Sequence, residues 1–166
     1  MKYYIGIDLG GTNIVAGVVD ENFSLIATAS NKTNAGRPAD QIAETMAQTA
    51  AQAAEKAGIS MEQIESVGIG SPGIVDSQKR EVIFASNLDF YNAPIGQLLE
   101  DRLHRPVFLA NDADAAAYGE FIAGAGKTER IRGVAVETRE TEFPLFSERQ
   151  CQLLLRQRDD EQSSLR

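Results

Sequence analysis

The chain has 166 residues, of which 43% are hydrophobic, and a formal net charge of −8. This length suits one domain rather than two, and the acidic balance argues against nucleic acid or an anionic membrane as a partner. A single cysteine and a single histidine exclude a disulfide framework and a protein zinc site, and the absence of a signal peptide or an apolar run of roughly 18 residues predicts a cytoplasmic protein.

The N-terminal residues predict a meander of three antiparallel strands. Apolar side chains alternate with other residues over positions 3–9, which is the period of a strand. Residues 14–19 form a continuous small and β-branched run, as expected for a strand buried on both faces. A polar turn then leads to a third predicted strand at 25–29.

The turn between the first two strands is the first candidate site. Gly10 and Gly11 could serve the turn alone. However, Thr12 and Asn13 add short polar side chains to a loop whose glycines let backbone N–H groups approach a ligand. Such a loop could bind phosphate oxygens, with Asp8 at the strand end placed to hold a metal ion or its water.

The middle of the chain contains both helices and strands. An apolar stripe at helical spacing predicts a helix that starts near Pro38 and stops at Gly58. The later elements are a strand at 66–70, a glycine-rich turn at 71–76, a strand at 82–84, a loop at 86–91, a helix at 94–103 and a strand at 106–110. His104, which lies between two arginines at the end of the second helix, is interpreted as structural.

The second candidate site follows the strand at 106–110. Asn111, Asp112 and Asp114 stand between a buried strand and the predicted start of a helix, which is where α/β folds place their chemistry. Either aspartate could merely cap the helix. We assign the cap to Asp114 and a chemical role to Asp112.

Four segments of the chain together resemble the ROK family (repressor, open reading frame, kinase), and most closely its bacterial glucokinases. They are residues 5–13, 68–76, 86–88 and 109–116, in order and at the spacing of that family. The resemblance covers about residues 1–127. Because the first motif begins within the first ten residues, we expect no DNA-binding domain before it and no repressor function.

The resemblance implies an α/β architecture with an actin-like ATPase (ribonuclease-H-like) fold, here its N-terminal lobe with a mixed sheet and flanking helices. It implies ATP-dependent phosphorylation of the 6-hydroxyl of glucose or a related hexose, with Mg²⁺ bridging the phosphates. The residues that would face the ATP phosphates are Asp8, Gly10, Gly11, Thr12 and Asn13. Those that would hold the sugar are Gly73, Asn87, Asn111 and Asp112, and Asp112 would be the general base. Family members are often homo-oligomers.

Residues 128–166 depart from this pattern. They are dense in charge and almost free of glycine and alanine, a composition that predicts disorder or partial helix. The family's second glycine-rich loop, its sugar-contacting Glu and His and its zinc ligands are not found there. We hypothesise an out-of-frame tail, against a natural short variant with an adapted tail. On the first hypothesis the isolated chain is an inactive N-terminal-lobe remnant, without significant turnover.

Overall fold

The computed structural model of the protein describes residues 1–22 and 24–115, and these contain eight strands, two complete α-helices and the start of a third. Their bounds are β1 Tyr3–Leu9, β2 Asn13–Asp20, β3 Leu25–Lys32, α1 Ala39–Ala57, β4 Ile64–Ser71, β5 Ile74–Asp76, β6 Glu81–Ala85, β7 Phe90–Ala93, α2 Ile95–Leu103 and β8 Val107–Asn111. A short 3-10 helix, Met61–Gln63, precedes β4. A further helix begins at 112–115. The predicted domain boundary near residue 127 and the charged segment 128–166 lie outside the described residues.

A five-stranded mixed sheet in the order β3-β2-β1-β4-β8 forms the body of the fold. The first three strands pair antiparallel, which confirms the predicted meander, while β4 runs parallel to β1 and β8 runs parallel to β4. Their apolar side chains, such as Ile5, Ile7 and Ile69, are fully buried. Because β1, β4 and β8 are parallel, their carboxyl ends meet at one edge of the sheet.

Helix α1 packs against β2 and β3 through the alanine-rich face that its sequence predicts. It ends at Gly58, whose φ of 69° is the left-handed conformation typical of a helix C-cap. Helix α2 lies beside α1 and precedes β8. Arg102 of α2 joins the two helices, since its guanidinium bonds Asp40 at 2.5 Å and Glu44 at 3.0 Å.

A second, three-stranded sheet has the order β5-β6-β7. Two of its strands differ from the prediction, because the sequence predicts a glycine-rich turn at 71–76, where β5 lies, and a loop at 86–91, where β7 begins. Phe90 is buried and Tyr91 is exposed, but a strand of four residues is too short to show a reliable alternation. Arg80, before β6, attaches this sheet to α2 by an ion pair with Glu100 and by accepting a hydrogen bond from Gly96 N–H at 3.0 Å.

The helices in the described ranges include none that is both long and apolar enough to cross a membrane.

Candidate functional site

The carboxyl ends of β1, β4 and β8 bring the two predicted motifs to the same edge of the sheet. Asp8 pairs in register with Gly70, and Gly70 pairs with Ala110. Two steps of about 4.8 Å between neighbouring strands separate the first and third of these residues by about 10 Å. The loop after Asp8 and the segment that starts at Asn111 therefore leave the sheet side by side, with only β4 between their strands.

The loop between β1 and β2 is a tight turn. Gly10 N–H donates to the carbonyl oxygen of Asn13 at 3.0 Å, and a Cβ atom at Gly10 would stand only 2.8 Å from that same oxygen. Within residues 1–22 and 24–115, the N–H groups of Gly11 and Thr12 have no backbone acceptor. The loop thus holds two neighbouring amide donors in a strand-to-strand turn, which suits an anionic ligand.

Asn87 lies directly against this loop. A Cβ atom added to Gly11 would be 3.3 Å from Nδ2 of Asn87 and 3.5 Å from its carbonyl oxygen. The missing side chain at Gly11 therefore allows the segment after β6 to approach. The predicted phosphate loop and one predicted sugar-binding residue are neighbours, although Asn87 is 76 positions away in the chain (87 − 11).

Gly73 and Asn111 form a second junction at the same edge. Asn111 Nδ2 donates to the carbonyl oxygen of Gly73 at 2.8 Å. Gly73 has φ +90°, and a Cβ atom there would collide with the carbonyl oxygen of Phe84. Both properties require glycine, because L-residues rarely adopt this conformation and no space exists for a side chain. The glycine-rich turn before β5 is thereby fixed against the end of β8.

Asp112 occupies the first turn of the helix that begins after β8. The cap of this helix is Asn111, whose Oδ1 accepts from the N–H groups of Ala113 at 2.9 Å and Asp114 at 3.3 Å. The prediction that Asp114 is the cap is therefore wrong, because Asp114 lies inside the first turn and supplies one of the N–H groups that Asn111 accepts. Asp112 is half-buried and Asp114 is exposed.

The structure thus brings the predicted residues together in two pairs, Gly11 with Asn87 and Gly73 with Asn111, and places Asp8 and Asp112 at the same edge.

His104 lies elsewhere. It caps the C-terminus of α2 with φ +52° and precedes the amino end of β8, at the opposite edge of the sheet. This position agrees with the structural role that the sequence indicates.

Sequence reasoning missed Thr33. This residue is fully buried behind the loop, where its Oγ1 donates to the carbonyl oxygen of Gly10 at 2.6 Å and its N–H donates to that of Thr12 at 2.9 Å. No local pattern signals such a role, because Thr33 is one of several polar residues between β3 and α1 and its partners are more than 20 positions away.

Comparison with known proteins agrees with the resemblance. The sequence profile described as ROK family matches residues 4–138. A glucokinase of Streptomyces coelicolor is 41% identical over 130 residues, which are 78% of this chain and 39% of that protein. A glucokinase of Thermotoga maritima is 34% identical over 124 residues, 74% of this chain and 38% of that one.

Comparison with solved structures also finds similarity to ROK family glucokinases. The chain superposes on a ROK family glucokinase from Streptomyces griseus, solved with glucose and AMPPNP, with a TM-score of 0.67 and 40% identity. The superposition covers 75% of this chain and 38% of that one. The mixed sheet and its helices have the actin-like ATPase fold of such sugar kinases, as predicted. This chain spans about two fifths of the length of the relatives that it matches.

Proposed function

The chain belongs to the ROK family, and we propose that its described residues form the phosphate-facing and sugar-facing side of an ATP-dependent hexose kinase site. The proposed substrate is glucose or a related hexose, phosphorylated at its 6-hydroxyl. A cytoplasmic location is part of the same proposal.

One observation carries the proposal: the loop that begins after Asp8 and the segment that holds Asp112 leave the parallel strands β1 and β8, which flank β4, at the same edge of the sheet. Phosphoryl transfer needs little covalent chemistry from the protein, and depends mainly on positioning donor and acceptor and on charge stabilisation. A phosphate-binding loop beside a carboxylate supplies both requirements.

Asp112 is the proposed general base. In this role its carboxylate accepts the proton of the sugar 6-hydroxyl as that oxygen attacks the terminal phosphorus of ATP, and ADP leaves when the bond from this phosphorus to the bridging oxygen breaks. Asp112 is half-buried at the start of a helix, and its neighbour Asn111 is held on both sides by the bonds to Gly73 and to the helix amides. The backbone that carries the carboxylate is thereby fixed. Asn87, Gly73 and Asn111 are the proposed sugar contacts.

The residues of the loop fit ATP with Mg²⁺. The described residues contain no group of three or more Cys, His, Asp or Glu side chains arranged to hold a metal ion. Mg²⁺ needs no such group, since it keeps several waters and takes one or two carboxylates together with the phosphates. Asp8 is the residue that would hold it, and the amides of Gly11 and Thr12 would contact phosphate oxygens. When bound, the ion neutralises charge on the phosphates.

A coupled assay of glucose-dependent ADP production tests the proposal. We expect Asp112→Asn to lose about 10²–10⁴-fold in turnover, the usual contribution of a general base. Glucose binding, measured by calorimetry, should persist because the amide keeps the shape of the side chain. The control is Asp114→Asn, which changes an exposed carboxylate two positions away and should behave as the wild type. Asp112→Asn with turnover within about threefold of the wild type would refute the role of Asp112.

A competing proposal is that this chain binds hexose without transferring phosphate. It is favoured by the sequence of residues 128–166, which lacks the second glycine-rich loop that the resemblance leads one to expect. The boundary between a family lobe at 1–127 and a charged segment at 128–166 belongs to this competing proposal. The same assay separates the two: glucose binding without ADP production by the wild-type protein would replace the kinase with the binding protein.

A further inference from the structure

Thr33 forms hydrogen bonds to two carbonyl groups of the loop between β1 and β2. Thr33 is fully buried, and all three of its polar atoms are engaged. Its Oγ1 donates to the carbonyl oxygen of Gly10, its N–H donates to that of Thr12, and its own carbonyl accepts from Arg37 Nη2 at 2.6 Å. Two of these bonds therefore fix two different peptide groups of the loop.

These bonds determine where the amides of the loop point. In a planar trans peptide the C=O and the following N–H point in opposite directions. Because the carbonyl of Gly10 is bonded to Thr33, the N–H of Gly11 is directed to the side of the loop away from Thr33. That N–H has no backbone acceptor among the residues that the structure describes, so it is available to a ligand.

Arg37 connects Thr33, and through it the loop, to helix α1. Arg37 Nη2 bonds Thr45 Oγ1 at 3.1 Å as well as the carbonyl of Thr33, and its Nε bonds the carbonyl of Asn34 at 3.2 Å. The guanidinium thus spans the connection between β3 and α1. Through this connection Thr33 itself has a fixed position relative to a 19-residue helix packed on the sheet.

We propose that Thr33 is a positioning residue for phosphate binding: its hydroxyl orients the peptide group between Gly10 and Gly11 so that the Gly11 amide donates to the ligand. This inference rests on the proposed function, because it assigns the ligand as a nucleotide phosphate. Thr33 touches no reacting atom and acts through the loop.

The test compares Thr33→Val with Thr33→Ser in the full chain. Valine keeps the shape of threonine and removes the hydroxyl, whereas serine keeps the hydroxyl. One readout is the NMR shift of the Gly10 carbonyl carbon and the Gly11 amide nitrogen, which report directly on the bond. The other is the affinity for AMPPNP, which we expect to fall about tenfold in Thr33→Val, the equivalent of one hydrogen bond. Thr33→Ser should restore both readouts.

Thr49→Val is the matched control. Thr49 is also fully buried, and its Oγ1 likewise donates to a backbone carbonyl, that of Thr45, at 2.6 Å, while it accepts from Asn31 Nδ2 at 2.9 Å. Its hydroxyl lies in α1 and does not contact the loop. Thr49→Val should therefore leave the shifts of Gly10 and Gly11 and the AMPPNP affinity as in the wild type.

Unchanged shifts in Thr33→Val, or equal effects of Thr33→Val and Thr49→Val, would overturn the inference. If the wild-type chain binds no AMPPNP at millimolar concentration, the assignment to nucleotide fails. The NMR shifts then still test whether Thr33 orients the loop. A failure of the nucleotide assignment can therefore be distinguished from a failure of the role of Thr33.

Discussion

The identity of Gly73 is constrained by both its backbone conformation and its surroundings. Gly73 combines φ +90° with a Cβ position blocked by the carbonyl oxygen of Phe84, and its own carbonyl accepts the hydrogen bond from Asn111. Gly36 has nearly the same φ, +85°, but nothing within 4 Å of its Cβ position. Substitutions at the two glycines therefore separate the energetic cost of the backbone conformation from the cost of placing a side chain where a neighbour already stands.

We predict that Gly36→Ala lowers the free energy of unfolding by about 1–2 kcal/mol, the cost of a left-handed conformation for an L-residue. Gly73→Ala should cost about 2–4 kcal/mol, because a displaced neighbour adds to the same conformational cost. Urea denaturation of both variants measures the difference. Equal losses would mean that the turn before β5 moves freely and is not fixed against β6.

The residues of the candidate site could be predicted from the sequence where they belong to a local motif. The loop after Asp8 and the end of β8 are of this kind, since glycines and polar side chains follow a run of buried residues. Thr33 and the cap at Asn111 could not be predicted in the same way. The role of Thr33 depends on a contact with a distant segment, and the choice among Asn111, Asp112 and Asp114 as cap depends on the residue at which the helix begins.

At the scale of elements, Arg102 is the principal polar link between the two helices. Its side chain is 22% exposed, whereas those of Asp40 and Glu44 are 67% and 54% exposed. Arg102 also donates from Nη1 to the carbonyl of Leu98 at 2.7 Å. The hydrogen bond with Asp40, more than that with Glu44, raises the pKa of Arg102, which stays charged under all ordinary conditions.

We predict that Arg102→Gln lowers the free energy of unfolding by about 1 kcal/mol in low salt, since both partners are mostly in water. The loss should shrink in 1 M NaCl, where the Debye length is about 3 Å. Lys2→Gln is the control, because the single pair of Lys2 with Glu65 at 3.8 Å is exposed on both sides and should contribute almost nothing. A loss that does not depend on salt would assign the effect to packing of the Arg102 stem.

Among the elements, long segments were easier to predict than short ones. Helix α1 and strand β1 show periodic apolar residues over at least seven positions, strand β2 contains a continuous apolar run at 14–19, and the existence and type of all three are confirmed. Strand β7 has four residues, of which Asn92 has a positive φ, and its stability comes from pairing with β6 rather than from its own sequence. The order of the five-stranded sheet could not be predicted from any single segment, because it depends on pairing between distant strands, and the resemblance implied only that the sheet is mixed.

For the whole molecule, the proposed sugar contacts come from three separate parts of the chain: the turn at Gly73, the segment at Asn87 and the end of β8 at Asn111. These parts are adjacent only in the folded state, so a hexose that binds there must stabilise the folded protein against the unfolded one. The gain in free energy is fixed by the ligand concentration relative to the dissociation constant, and is about 2.7 kcal/mol at a hundredfold excess over that constant.

We therefore predict that D-glucose shifts the urea midpoint of the wild-type chain upward, and that above the dissociation constant the shift grows with the logarithm of the glucose concentration. L-glucose is the control, because the mirror image has the same effect on the solvent but cannot fit a chiral site. The shift should be reduced in Asn111→Ala, which removes a proposed contact together with its bond to Gly73, and retained in Asp114→Asn. Equal shifts with both enantiomers would show that the edge formed by β1, β4 and β8 does not bind hexose in this chain, whichever of the two proposed functions is considered.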